Sequence, residues 1–179
     1  MRSDEDVIKL IAVNRKCETI MPIHWPARYA PGLVAASVSN EIAIAAAPET
    51  VWAWLVRASA WPGWYPNSHR VCIAGGKADL ALGAQFRWRT FGVAVRSTVR
   101  EFEPPSRIAW DGKGLLLDVY HGWLIEPRPA GCWVLTEENQ NGVAARLQAT
   151  FMPKRMFRGH QLWLERLKAR AESGLPLGP

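Results

Sequence analysis

With 179 residues, 49% of them hydrophobic and 21% charged, the chain has the makings of one globular domain with a sizeable core. It contains no apolar run of the roughly eighteen residues that a membrane-spanning helix needs. The acidic Asp4, Glu5 and Asp6, followed by Asn14, Arg15 and Lys16, argue against a secretory leader.

Residues 1–36 read as an N-terminal extension, in part flexible. A short amphipathic helix is expected over 7–13, whereas His24-Trp25-Pro26 and Tyr29-Ala30-Pro31-Gly32 read as extended or turning chain. Trp25 and Tyr29 gain by packing, so 22–36 should lie against the body and 1–20 should be loose. Met21 offers an alternative start. A strand carrying Ile42 and Ile44 on one face comes next, then a helix opened by Pro48 and carrying Val51, Trp52 and Leu55 at helical spacing. Trp52 and Trp54 stand two apart and cannot share a face of that helix. A second short helix is expected from Ser59 towards Pro66. Strands follow over 68–74, 84–90 and 93–99, the last two joined by a hairpin at Thr90-Phe91-Gly92. Glu103-Pro104-Pro105-Ser106 and Asp111-Gly112-Lys113-Gly114 read as turns on either side of Ile108 and Trp110. A last hairpin pairs 119–125 with 132–138. The chain then turns helical to about Glu172, divided or kinked at Pro153, and ends in a short tail over 174–179. Met156, His160, Trp163, Leu164, Leu167 and Ala171 form one apolar stripe.

Charge and cysteines bound the partners. Seven basic residues (Arg146, Lys154, Arg155, Arg158, Arg166, Lys168, Arg170) and two acidic ones fall between Val143 and Glu172, out of a net charge of +6. A solvated outer helix face accounts for them, and the sharper reading is a weak contact with an anionic membrane surface. Nucleic acid is not an expected partner, because no recognised motif occurs and the Trp residues do not interleave with this run. The three cysteines, Cys17, Cys72 and Cys132, read as free thiols of a reducing cytoplasm.

Several segments together carry a family resemblance over roughly 38–172. They are Pro48-Glu49-Thr50-Val51-Trp52-Ala53-Trp54-Leu55, Trp61-Pro62-Gly63-Trp64, Leu82-Gly83-Ala84-Gln85-Phe86-Arg87-Trp88, Ser97-Thr98-Val99-Arg100-Glu101-Phe102-Glu103-Pro104 and His121-Gly122-Trp123-Leu124, with the closing helix. The chain resembles the START-like (SRPBCC) superfamily, and within it the polyketide cyclase/dehydrase groupings. The resemblance implies an α+β helix-grip domain over 37–173. In it a curved antiparallel sheet wraps a long C-terminal helix, with two short helices after the first strand and a cavity for a small hydrophobic molecule. The residues agree independently: a sheet with Phe86, Trp88, Val93, Val95, Val99, Trp110, Trp123 and Val134 on one face needs a cover, and the apolar helix stripe supplies one.

Strand parity then selects the inward polar groups. His121 shares a face with Trp123 and Ile125; Cys132, Val134, Thr136 and Glu138 share another; Ser97 sits with Val95 and Val99. A turn centred between Arg128 and Pro129 puts His121 opposite Thr136 and diagonal to Glu138. His121 and Glu138 are the candidate catalytic pair, His121 as donor or acid/base and Glu138 orienting it. The commoner arrangement for such residues is a satisfied buried His and a rim Glu in an ion pair. The expected ligand-binding set is Trp54, Trp64, Tyr65, Phe86, Trp88, Val95, Ser97, Trp110, Trp123, Thr136 and His160, with His69 a loop residue near the entrance. Glu137 and Glu138 face opposite ways and cannot act together. No His-x-x-x-His or Cys-x-x-Cys spacing occurs, so neither a metal centre nor any other cofactor is expected. Nucleophile elbow, phosphate loop and dinucleotide fingerprints are missing as well. The chain therefore reads as a binder of a small hydrophobic or aromatic molecule such as a lipid or polyketide-like metabolite. A cyclase/dehydratase using His121, and a peripheral lipid carrier docking through its basic last helix, stay open beside it.

Overall fold

A computed structural model describes residues 23–176. The expected helix over 7–13, the loose segment over 1–20, Cys17 and the last three residues of the tail lie outside the described residues.

Among the described residues, seven strands form one antiparallel sheet: β1 (Ala36–Ile44), β2 (Ser68–Ile73), β3 (Gln85–Thr90), β4 (Val93–Glu103), β5 (Arg107–Gly114), β6 (Leu117–Arg128) and β7 (Gly131–Asn141). Their order is β1-β7-β6-β5-β4-β3-β2, so the first strand crosses to the far side of the last hairpin. Helix α1 (Pro48–Val56) starts on its proline as expected and buries Val51, Trp52, Leu55 and Val56; a 3-10 segment (Ala58–Gly63) follows it. The C-terminal helical region is divided at Pro153 into α2 (Val143–Phe151) and α3 (Pro153–Glu172), since a proline fits a first turn but not an interior one. The stripe Met156, His160, Trp163, Leu164, Leu167 and Ala171 is the buried face of α3.

That face lies in the grip of the sheet. Phe86, Trp88, Val95, Val99, Trp110, Trp123 and Val134 meet Trp163, Leu164 and Leu167 in one hydrophobic cluster, which also takes in Trp61, Tyr65 and α1. Trp163 sits at its centre, stacked on Tyr65 with ring centroids 4.4 Å apart and edge-on to Trp61 and Trp123 at 5.1 Å each. On β1, Asn40 faces inward and its amide donates to Gln161 Oε1 at 3.1 Å, tying the first strand to α3.

Two details differ from the sequence-based expectation. Asp111-Gly112-Lys113-Gly114 belongs to β5, and the turn falls at Leu115 and Leu116, the latter at φ 57°. Gly112 is needed for packing: a Cβ there would come within 2.9 Å of Val119 and 3.0 Å of Val95. The β6–β7 turn is centred one residue later than expected, because Arg128 pairs with Gly131, and the register of the hairpin shifts by two. The segment expected to lie against the body covers part of the outer face of the sheet. Residues 23–35 cross it and bury Ile23 and Tyr29 against Ala109, Tyr120 and Leu124. Tyr29 donates to Asp118 at 2.5 Å, and Asn139 and Asn141 donate to the carbonyls of Tyr29 and Arg28 at 2.8 and 2.9 Å. Among the described residues no helix is long and apolar enough to cross a membrane.

Candidate functional site

The shifted turn places His121 directly across from Glu138, and Trp123 across from Thr136. A two-residue shift preserves the face of every side chain, so the inward set survives while its pairing changes. His121 Nδ1 lies 3.0 Å from Glu138 Oε2, and its Nε2 lies 2.7 Å from Thr136 Oγ1. From α3, His160 brings Nε2 to 3.5 Å from the same carboxylate oxygen, while its Nδ1–H donates to the Met156 carbonyl at 2.9 Å. Gln140, two residues along β7 and on the same face, donates to Glu138 Oε1. The two imidazoles are buried and their ring centroids are 4.9 Å apart. The nitrogens and oxygen of His121, Glu138 and His160 all lie within 4.8 Å of one another, close enough to share one cation.

This small polar island sits among indoles. Burial penalises the Glu138 charge, yet the close approach of the His121 and His160 imidazoles outweighs that penalty and holds its carboxyl well below the usual range. Burial also dominates at His121 and pushes its pKa down despite Glu138. The island thus joins one buried carboxylate to two buried imidazoles, a donor set of one oxygen and two nitrogens.

Beside the island lies a cavity of about 30 Å³. Trp88, Val95, Ser97, Trp110, Glu138 and His160, all expected at the site, line it. So do Thr90, Phe91, Val93, Leu117, Val119, Gln140, Gln148 and Trp163, which were not in the expected set. Extending the β7 parity by one step would have found Gln140; Phe91 stands at the hairpin tip as expected, but its φ of 49° and its place in the cavity wall have no sequence signal. Ser97 is engaged by the Trp88 indole N–H at 3.1 Å.

The other expected residues stand back from this cavity. His121 and Thr136 lie behind Glu138. Trp123 packs between His121 and Trp163, at 5.4 and 5.1 Å. Phe86 packs on Trp61 and Trp110 at 6.0 Å each. Tyr65 lies under Trp163, its hydroxyl donating to the Gly159 carbonyl at 3.3 Å. Trp64 meets Trp54 edge-on at 6.5 Å, and Trp54, on the half-exposed side of α1, donates to the Gly174 carbonyl at 2.7 Å. His69 is exposed on β2. The interior is thus filled mainly by the chain's own aromatic rings. Four cavity residues keep a buried polar atom without a hydrogen-bond partner in the protein: Thr90 Oγ1, Gln140 Oε1, His160 Nε2 and Trp163 Nε1.

Comparison with known proteins agrees with this architecture. A hypothetical protein of Helicobacter pylori superposes with a TM-score of 0.79 at 34% identity, over 86% of this chain and 98% of its own. The di-domain ARO/CYC protein StfQ of the steffimycin biosynthetic pathway shares the fold at 17% identity and TM-score 0.63, over 76% of this chain and 51% of its own. A Thermus thermophilus protein does so at 17% identity and TM-score 0.64, over 77% of this chain and 98% of its own. No curated protein matches the chain. The model of one family, "Polyketide cyclase / dehydrase and lipid transport", matches residues 35–172. With that span covering most of the chain, and the grip fold to go with it, the protein belongs to the polyketide cyclase/dehydrase and lipid transport family.

Proposed function

We propose that the chain binds a small aromatic or hydrophobic molecule in the cavity between the sheet and α3, with Glu138 and His160 as its polar anchors. One observation carries the reading: an indole-lined cavity whose residues keep four buried polar atoms unpaired. Buried polar atoms normally find partners, and a few convergent ones in an apolar hollow are the pattern of a ligand site. At about 30 Å³ the cavity holds little more than a water molecule, so a ligand enters by displacing part of its lining, in this reading the Phe91 ring at the cavity wall. Native mass spectrometry on protein from its own host is the direct test. A retained small molecule, lost when Phe91→Trp narrows the cavity, supports the reading. An empty wild-type protein that also leaves aromatic and lipid probes unbound refutes it.

Catalysis is the second reading, favoured by His121 held between Thr136 and Glu138. His121 stands behind the cavity wall, so it would act through Glu138, with His160 as the imidazole facing a substrate. Replacing His121 with Ala leaves affinity largely intact in a carrier and abolishes turnover in a cyclase or dehydratase.

The lipid-carrier reading has its own support. Leu115, Leu116, Val143, Leu147, Phe151 and Phe157 are exposed, and the hairpin tip is tied to α2 by the Ala144 N–H donating to the Leu116 carbonyl at 3.1 Å. Arg146, Lys154, Arg155 and Arg158 are exposed in the same helical region. Its electrostatic part requires binding to anionic vesicles that weakens as salt rises.

A further inference from the structure

We propose that His121, Glu138 and His160 form a binding site for one divalent transition-metal ion of the zinc class, with an open coordination position facing the cavity. The proposal rests on three side chains alone and holds whether or not an organic molecule enters.

The spacing comes first. His121 Nδ1 and His160 Nε2 lie 3.0 and 3.5 Å from Glu138 Oε2. Four-coordinate zinc with bonds of about 2.0–2.1 Å separates its ligand atoms by about 3.3 Å. Both nitrogens are buried, and neither makes an aligned hydrogen bond despite these short approaches. Atoms this close to an acceptor but not aimed at it are arranged about a common point rather than paired with each other.

The outward atoms complete the pattern. His160 gives its Nδ1–H to the Met156 carbonyl, which leaves the Nε2 lone pair facing Glu138. Thr136 Oγ1 accepts from His121 Nε2 in the tautomer that leaves the Nδ1 lone pair free. Gln140 holds the other carboxylate oxygen. Each ligand is thus oriented by an outer partner, as metal-bound histidines and carboxylates characteristically are. All three stand on regular elements, a cross-strand pair on β6 and β7 and the middle of α3, which fixes their separation.

Charge supplies the need. Glu138 brings a carboxylate into a pocket walled by indoles, and a buried carboxylate is costly unless a partner compensates it. A divalent cation with this N2O donor set compensates it. Glu138 and His160 also line the cavity, so a fourth ligand, water or an oxygen of a bound molecule, reaches the ion from there.

The test uses the full chain, stripped with a chelator and reloaded with Zn2+ or Co2+. Metal analysis is expected to give one equivalent per chain, and Co2+ is expected to show the visible bands of a four-coordinate site. The equivalent should vanish in His160→Ala and in the near-isosteric Glu138→Gln, whose fold is checked by circular dichroism. It should persist in His24→Ala, which disrupts a second three-residue cluster among the described residues, formed towards the surface with Glu101 and Glu103. A wild-type chain that takes up no metal overturns the proposal. So does an equivalent that survives Glu138→Gln in folded protein, or one lost in His24→Ala alone.

Discussion

Gly159→Ala separates the roles of helix stability and cavity access. Gly159 lies in the interior of α3, and a Cβ built there would overlap Cε1 and Cζ of the Phe91 ring. The Phe91 backbone cannot retreat easily: its N–H donates to Asn67 Oδ1 at 2.9 Å and its carbonyl accepts from Arg155 at 3.0 Å. The ring must therefore swing away, leaving its contact with His160, 5.8 Å between centroids, and opening the wall of the cavity. Alanine gains about 1 kcal/mol over glycine in a helix interior. Full burial of a Phe side chain is worth about 1.5–3 kcal/mol, and the half-buried Phe91 loses roughly half of that. The two nearly cancel, so the melting temperature should move by no more than about 2–4 °C. Binding of an apolar fluorescent probe should rise several-fold at the same time. A double-mutant cycle with Phe91→Ala sharpens the test, since in that background Gly159→Ala should stabilise by the full ~1 kcal/mol. A loss above about 3 kcal/mol with unchanged probe binding would mean that the backbone yields instead of the ring, and the reasoning would be refuted.

Trp163→Ala removes the hub of the aromatic cluster and should cost about 4–5 kcal/mol, at the upper end for such truncations, read from a urea midpoint; a loss under 2 kcal/mol would show a slack interior. All three tyrosines, Tyr29, Tyr65 and Tyr120, have phenols raised chiefly by burial, and Asp118 and Glu101 add to the rise at Tyr29 and Tyr120. A phenol raised on folding contributes stability that is intact below about pH 10 and lost as pH climbs beyond it, so phenolate absorbance should appear together with loss of circular dichroism. Phenolate forming near pH 10 in protein with native circular dichroism would contradict this. Burial, helped by the charge of Glu49, pushes the Cys132 thiol up to about 11, whereas Cys72 is exposed. In a Cys17→Ser variant at pH 8 a thiol reagent should modify Cys72 rapidly and Cys132 only on denaturation; mass mapping of the modified peptides checks it.

The order of elements and the buried stripe of α3 were legible in the sequence because both follow from local periodicity. The face of each β6 and β7 residue was legible for the same reason: parity is unchanged by an even shift in register. Which residue pairs with which was not, because a turn over Pro129 and Ala130 in place of one centred a residue earlier moves Glu138 from diagonal to opposite His121. Distance along the chain also hid the three-residue cluster, whose members come from two strands and a helix and obey no local spacing rule. The inventory of Trp residues pointed to an aromatic interior but could not tell lining from filling. That depends on how Trp61, Trp123 and Trp163 interleave, and they leave little room. Trp54 illustrates the limit of a short helix: nine residues bury one face, and only the tertiary contact with Gly174 shows which side the indole takes.

The segment over 23–35 alters what counts as the folding unit. The family model begins at residue 35, yet the groups that cover Ala109, Tyr120 and Leu124 lie upstream of it. Ile23 even fits against the bare backbone of Gly122, where a Cβ would come within 2.8 Å of it. Homology therefore delimits the inherited scaffold, while cooperativity extends to a strap outside it. A chain trimmed to the family boundary would present a wet apolar strip on the back of its two central strands, a surface ready to associate with copies of itself.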